Sequence, residues 1–237
     1  MSGHSKWSNI KHKKATEDKK RANIFSKFNR LISVAAREGG DNPETNFALR
    51  AAIDKARYFN MPQGNIDRAI KRGTGEIEGL KFETLLLEGF GPGGIAVLIE
   101  AVTDNKNRTL NEVRQILERG GGKLASGGVS WMFERKGVIQ MKNTRTPELE
   151  LSLIEAGAED IKYKDDILEI HTRPEEMDKV KMNLGQKKIK VEDLSIDFVP
   201  KEEIEIKEAG LKSKIESLFE TLDGNDDVQD IYSNVKM

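Results

Sequence analysis

The sequence predicts an α+β, multidomain chain: an N-terminal three-helix domain, then an α/β domain with a ferredoxin-like α+β domain inserted in it. Three observations carry this reading. The apolar pattern has a helical period as far as residue 73 and a strand-like period beyond it. Apolar residues make up 37% of the 237 and charged residues 33%, a surface-rich balance that suits several small cores better than one large one. From Gly137 the patterns run strand, helix, strand, strand, helix, strand, the split unit of a ferredoxin-like fold, and a helix and a strand remain after it.

The first helix is read over residues 14–38, where Ile24, Phe25, Phe28, Leu31, Ile32, Ala35 and Ala36 recur at steps of three and four. At 100° per residue Lys19, Lys20, Lys27, Arg30 and Arg37 gather on the other side. Gly39 and Gly40 form the stop. Asp41-Asn42-Pro43-Glu44 is read as the start of a second helix, with a cap residue, a first-turn Pro and an acid at the positive end of the dipole. That helix runs through Phe47, Ala51, Ala52 and Ala56 and stops near Phe59, since Pro62 follows. A third, ending at Gly73, turns Ile66, Ala69 and Ile70 inward and Arg68, Lys71 and Arg72 outward.

Residues 73–79, GTGEIEG, read as a link. Residues 82–90 and 95–102 form a hairpin around Gly91-Pro92-Gly93-Gly94, which is not a phosphate loop because no helix follows it. Asp104 to Arg108 caps the next helix, which places Leu110, Val113, Ile116 and Leu117 inward, and Thr109 with Glu112 fits a capping box. Residues 120–133, GGGKLASGGVSWMF, allow two readings. Glycines and Lys123 suit close approach to a nucleic-acid backbone; equally, the segment is a connection whose Trp131 and Phe133 rings belong to the core. The inserted unit follows as strand 138–141, helix 147–156, strands 161–163 and 167–171, helix 174–184 and strand 190–199. A helix over 202–222 and a strand over 228–235 complete the earlier set. The expected domains are therefore 1–76, 77–135 with 201–237, and 136–200.

Charge divides along the chain. Residues 1–73 hold 16 Lys or Arg against 7 acids, and the remainder 23 against 33, so a basic module of net +9 precedes an acidic body of net -10. The excess is concentrated in the first 30 residues, nine cations against two acids. His4, Lys6, Trp7, Lys11, His12, Lys13 and Lys14 interleave cations with hydrogen-bonding and flat side chains, a mixture suited to phosphates and stackable bases. The plain alternative is a solubilising basic terminus. The division also raises a fold-back of the acidic helix 202–222 onto this segment. No cysteine is present, which excludes disulfides, thiolate zinc sites and cysteine nucleophiles. The three histidines, His4, His12 and His171, show neither zinc spacing nor a nucleophile–base pair, so the chain is read as non-enzymatic, without catalytic residues, metal or cofactor. The longest apolar run spans residues 95–99, which points to a soluble, cytoplasmic protein with no membrane partner.

The stretches MSGHSKWSNIKHKKATEDKKRANIFSKF, DNKNRTLNEVR, GGKLASGGVSWMF and DDVQDIYSN together resemble the YebC/PmpR family over essentially the whole chain. The resemblance implies the same three-domain plan. It also implies a regulator of gene expression: members are usually described as DNA-binding transcriptional regulators, while others, such as the mitochondrial translational activator of cytochrome c oxidase, look like translation factors. The expected partner is thus DNA, or ribosomal RNA or tRNA on the ribosome, met by a monomer. Besides the tail, the expected contacts are Lys19, Lys20, Arg21, Lys27 and Arg30 on the first helix, Arg68 and Arg72 on the third, Lys106 and Arg108 at the next helix start, and Lys123. On the third helix Asn65, Arg68 and Arg72 are spaced to present base-reading side chains together; an ordinary solvated face is the alternative.

Overall fold

The computed structural model describes residues 18–79, 81–142, 146–164 and 167–236. The chain divides into two compact units, one spanning Phe133–Lys201 and the other the chain on either side of it. In the second of these, α1 (Asp18–Gly39), α2 (Phe47–Tyr58) and α3 (Gln63–Thr74) pack around Ile32, Leu49, Ile53, Ala56, Ile66 and Ala69. The start of α2 differs from the sequence reading. Residues 41–45 form a turn held by Asn42, and Asn46 is the cap, its side-chain oxygen accepting from the Leu49 N–H at 3.0 Å. The Asn46 amide also donates to the carbonyls of Ala35 and Gly40, each at 2.8 Å. One buried side chain thereby closes the end of α1 and the beginning of α2, which no residue at 41–44 does. Helix α3 ends at Gly75 in the left-handed region (φ 82°) rather than at Gly73.

The hairpin forms as expected, β1 (Glu83–Phe90) pairing antiparallel with β2 (Ala96–Thr103) across a 3-10 turn at Pro92–Gly94. Helix α4 (Lys106–Arg119) follows. Its cap is Asn105, whose side chain accepts from the Arg108 N–H at 3.1 Å. Thr109 lies one turn inside, fully buried, and Glu112 instead accepts from Asn225 at 2.8 Å, so the Thr109–Glu112 capping box does not form. The glycine-rich segment holds a short strand, β3 (Lys123–Ala125), paired antiparallel with β1. Phe133 beyond it is buried, whereas Trp131 is 69% exposed and is not core.

The unit Phe133–Lys201 comprises β4 (Phe133–Lys142), α5 (Pro147–Ala156), β5 (Asp160–Lys164), β6 (Ile167–Thr172), α6 (Met177–Gln186) and β7 (Asp193–Pro200). Its strand order is β5-β6-β4-β7 with every pair antiparallel, so the first and third strands are central and the second and fourth form the edges. This is the ferredoxin-like arrangement. Ile139, Met141, Leu168 and Ile170 are buried in the sheet, and Leu153, Val180 and Leu184 on the two helices.

The chain then returns with β8 (Ile204–Glu205), α7 (Ala209–Asp223), β9 (Val228–Ser233) and β10 (Val235–Lys236). Residues 202–208 are not helical: Ile204 and Ile206 alternate with acids, Ile206 enters the core, and β8 pairs in parallel with β10. Strand β9 pairs with β2, completing the sheet order β3-β1-β2-β9. Helices α4 and α7 bury Val113, Leu117, Ile215, Leu218 and Phe219 with Ile95, Val97 and Ile99 of the hairpin. A smaller apolar contact, Val34 with Phe82 and Val102, joins α1 to this sheet. Among the described residues no helix is long and apolar enough to cross a membrane.

Gly73 lies where α1 and α3 touch: a Cβ there would stand 2.2 Å from the Ser33 carbonyl oxygen and 2.9 Å from the Ala36 Cβ. Alanine in a helix gains about 1 kcal/mol over glycine, but overpacking costs roughly 1–3 kcal/mol, and main chain cannot swing aside. Gly73→Ala is expected to lower the unfolding free energy by about 1 kcal/mol net, seen as a lower urea midpoint at unchanged slope. Gly64→Ala on the same helix meets open space and is expected to raise the midpoint.

Candidate nucleic-acid interface

The charge division of the sequence becomes a contact in the structure. The last residue of α7, Asp223, and the turn after it, with Asp226 and Asp227, are reached by the cations of α1. Lys27, only 5% exposed, donates to the Asp223 carbonyl at 2.6 Å and to its carboxylate at 3.1 Å. Arg30 donates to the Asp226 carbonyl and pairs with the Asp227 carboxylate at 2.6 Å. Asp227, 2% exposed, also receives Arg108 of α4 at 2.8 Å, Thr109 at 2.6 Å and Thr103 at 3.0 Å. Burial pushes the Asp227 carboxyl up, yet the bonds from Arg108 and Thr109, the Arg30 charge and the Thr103 bond together hold it below the usual carboxylate range. Arg108 in turn is held above its ordinary value by Asp227 and then Asp104.

Three cations read from the sequence as phosphate contacts, Lys27, Arg30 and Arg108, are thus engaged internally. Helical phase put Lys27 and Arg30 on a polar face, but that face packs against an acidic turn about two hundred residues further on. Asp223, Asp227, Thr103 and Thr109 were not singled out by sequence reasoning; the available signal was the pair Asp226-Asp227 in an acidic half facing a basic one. The fold-back expected of helix 202–222 onto the N-terminal segment lies outside the described residues; what the structure shows is the end of α7 and the turn after it held against α1.

Other polar groups face a groove along α1 and α3. A cleft of roughly 900 Å³ is lined by Ser26, Asn29, Phe82, the cations Arg30, Arg72 and Arg108 and the acids Asp104, Glu112, Asp226 and Asp227, among others. A smaller hollow of roughly 250 Å³ is lined by Ala22, Phe25, Ser26, Asn29, Met61, Asn65, Arg68 and Arg72. The two share Ser26, Asn29 and Arg72 and so run together. Along this groove the side chains of Ser26, Asn29, Asn65, Arg68 and Arg72 make no hydrogen bond or ion pair within the described residues. The structure therefore brings together Asn65, Arg68 and Arg72, as their spacing on α3 predicts, and adds Ser26 and Asn29 from α1. Gly79 makes room for Arg72, since a Cβ there would lie 2.7 Å from the Arg72 Cδ.

Lys106, exposed on the first turn of α4, and Lys123, on edge strand β3 with its Nζ 5.9 Å from the Phe90 ring centroid, do not line the groove. Lys19, Lys20 and Arg21 occupy the first turn of α1, with side chains outside the described part. His4, Lys6, Trp7, Lys11, His12, Lys13 and Lys14 lie outside the described residues.

Residues 5–76 match the family model for the TACO1/YebC protein N-terminal domain, and residues 82–235 that for the TACO1/YebC second and third domain. The chain belongs to the TACO1/YebC family. This TACO1/YebC chain is 48% identical, over 99% of its length and 94% of the relative's, to a protein of Halothermothrix orenii named "Probable transcriptional regulatory protein". A protein of the same name from Thermotoga petrophila is 50% identical over 100% of this chain and 94% of its own. A conserved hypothetical protein of Aquifex aeolicus, known from a crystal structure, superposes with a TM-score of 0.84 at 44% identity, covering 94% of this chain and 93% of that one.

In the TACO1/YebC chain the Asp227 cluster is tested through stability. Removing one partner of a buried charge cluster ordinarily costs about 3–5 kcal/mol, and Asp227→Ala is expected to fall in that range by urea unfolding at pH 7. The folded carboxyl titrates below the unfolded value of about 3.9. Its contribution is therefore full well above that value and lost as pH falls below about 4 through the folded value. Asp227→Asn is expected to lack this component, so the stability gap between wild type and variant should narrow between pH 6 and pH 3.

Proposed function

We propose that this protein is a non-catalytic, nucleic-acid-binding regulator of gene expression that acts on DNA; its bacterial relatives carry the name of transcriptional regulatory proteins. The observation that carries the reading is the sorting of its cations. Lys27, Arg30 and Arg108 serve the fold. Arg68 and Arg72, without a hydrogen bond or ion pair among the described residues, stand in a groove with Ser26, Asn29 and Asn65, the Arg72 end of which also meets Asp104, Glu112, Asp226 and Asp227. Arginine and asparagine on one helix face are the side chains that pair with base edges in a major groove, and serine and asparagine beside them suit phosphate oxygens. The basic N-terminal segment supplies further phosphate contacts in this reading, and the protein acts in the cytoplasm as a monomer without a cofactor.

A second reading, a translation factor that contacts ribosomal RNA or tRNA, is favoured by a different region. Lys123 is exposed on an edge strand, and Gly121, Gly127 and Gly128 adopt left-handed conformations with open space where a side chain would stand. Such a segment permits close approach of a folded RNA backbone. Sedimentation of the tagged protein from a gently lysed cell, with DNase or RNase added before the gradient, separates the two. Fast sedimentation abolished by DNase is expected for the DNA reading; comigration with ribosomes that survives DNase and collapses with RNase overturns it in favour of translation.

The groove itself is tested by salt dependence. Arg68→Ala and Arg72→Ala are each expected to weaken DNA binding and to reduce the slope of log affinity against log salt by about 1. Lys27→Ala is expected to leave that slope unchanged while lowering thermal stability. An unchanged slope in both arginine variants would remove the groove from the interface.

A further inference from the structure

Trp131 is displayed rather than buried. Its ring is 69% exposed, yet the backbone beneath it is pinned. It sits in a single 3-10 turn, Ser130–Met132, closed by the Met132 N–H to the Val129 carbonyl at 2.9 Å, and Val129 is fully buried. Glu88 of β1 accepts from the N–H groups of Val129 and Ser130 at 2.6 and 3.1 Å and from the Ser130 hydroxyl. The same Glu88 stands opposite Ala125 in the β1–β3 register, so the turn bearing Trp131 and the strand bearing Lys123 meet at one corner of the sheet. The Ser130 hydroxyl, opposed by burial and aided by the two backbone donors, holds the Glu88 carboxyl below its ordinary value, so the clamp is ionised at neutral pH.

A large apolar ring kept in water on a fixed backbone is a ready contact, because little side-chain freedom is lost when it binds. Its surroundings indicate the chemistry. Between residues 121 and 131 the exposed residues are Gly121, Lys123, Ser126, Gly127, Gly128 and Trp131. An aromatic anchor for a protein partner is normally ringed by further contacts that exclude water, and no other exposed side chain in this stretch is apolar. A flat ring with a nearby cation and bare backbone is what a base and its phosphate need.

We propose that Trp131 is a stacking platform for one unpaired nucleobase of a single-stranded nucleic acid, with Lys123 meeting a flanking phosphate. The inference rests on the nucleic-acid-binding reading above and adds to it a second contact, outside the α1–α3 groove, that a fully stacked duplex does not engage.

The chain has two tryptophans, so a full-length Trp7→Phe protein leaves Trp131 as the only indole. In that background it is titrated with uridylate and thymidylate dodecamers and with a duplex DNA of similar length. Both single strands are expected to quench the Trp131 emission. Trp131→Ala is expected to weaken single-strand binding about tenfold, with the salt slope, the melting temperature and duplex affinity unchanged; Trp131→Phe is expected to restore most of the loss. Single-strand binding without quenching, or with equal affinity in Trp131→Ala, overturns the platform, and so does binding of the duplex alone; the groove reading survives each of these. An indole that serves a protein partner falls among those outcomes. Absence of binding to all three probes overturns both readings together.

Discussion

Asp227 is where three otherwise separate pieces of the chain are tied. Its carboxylate receives Arg30 from α1, Arg108 and Thr109 from α4, and Thr103 from the end of β2, and its own carbonyl accepts from the Val102 N–H at 2.8 Å. The apolar contact between the helical bundle and the sheet is small, Val34 with Phe82 and Val102, so hydrophobic burial holds the two together without strongly selecting one orientation. Directional bonds supply that selection. A buried charge cluster adds little net stability over well-packed apolar groups, but its geometry is intolerant of sliding, because a displaced carboxylate leaves buried donors unmatched. The groove along α1 and α3 takes its far wall from this arrangement, since Arg108 and the acidic turn face Arg72 across it.

The same cluster explains a division of labour among the cations. A basic helix invites the assumption that each of its lysines and arginines is free to meet an anion. Here α1 uses Lys27, Arg30 and Arg37 on its own fold, Arg37 bonding the Phe82 carbonyl, and leaves Ser26 and Asn29 at the groove. Net charge is therefore a poor guide to the number of contacts. Arg68 and Arg72 on α3, by contrast, make no hydrogen bond or ion pair within the described residues.

What was legible in the sequence was whatever depends on neighbours along the chain. Apolar spacing gave α1 through Phe28, Ile32 and Ala35 and gave α3 through Ile66 and Ala69; the glycines at 91–94 marked the hairpin; strand and helix order marked the ferredoxin-like unit. What was not legible depends on distant partners. Asn42 and Asn46 are equally good caps locally, and the choice between them is made by carbonyls of α1 within reach of the Asn46 amide. Thr109 resembles a cap residue until Asp227 is placed beside it. Residues 202–208 are rich in helix-forming glutamate, but the alternating Ile204 and Ile206 find β10 and the core, so tertiary pairing outweighs propensity. Lys27 meets an acid 196 positions away, a relation that no window on the sequence contains. Trp131 fell on the other side of the same problem: an aromatic between glycine and a strand is ordinarily core, and only the Glu88 clamp shows why this one is not.

The insertion of the ferredoxin-like unit has a consequence for the order in which the protein is made. Phe133 and Pro200, its first and last strand residues, stand opposite each other in the β4–β7 register, so the inserted unit brings its own ends together and imposes little loop-closure entropy on its host. The host is less fortunate. Strand β9 and Asp227 follow the inserted unit, so a chain growing from its N-terminus completes its helical bundle and its ferredoxin-like unit while the sheet between β2 and β9 is still open. Domains fold as they appear. In this protein the fixing of the bundle to the sheet waits for residues beyond the inserted unit, and a chain without them forfeits the joint while keeping most of its parts.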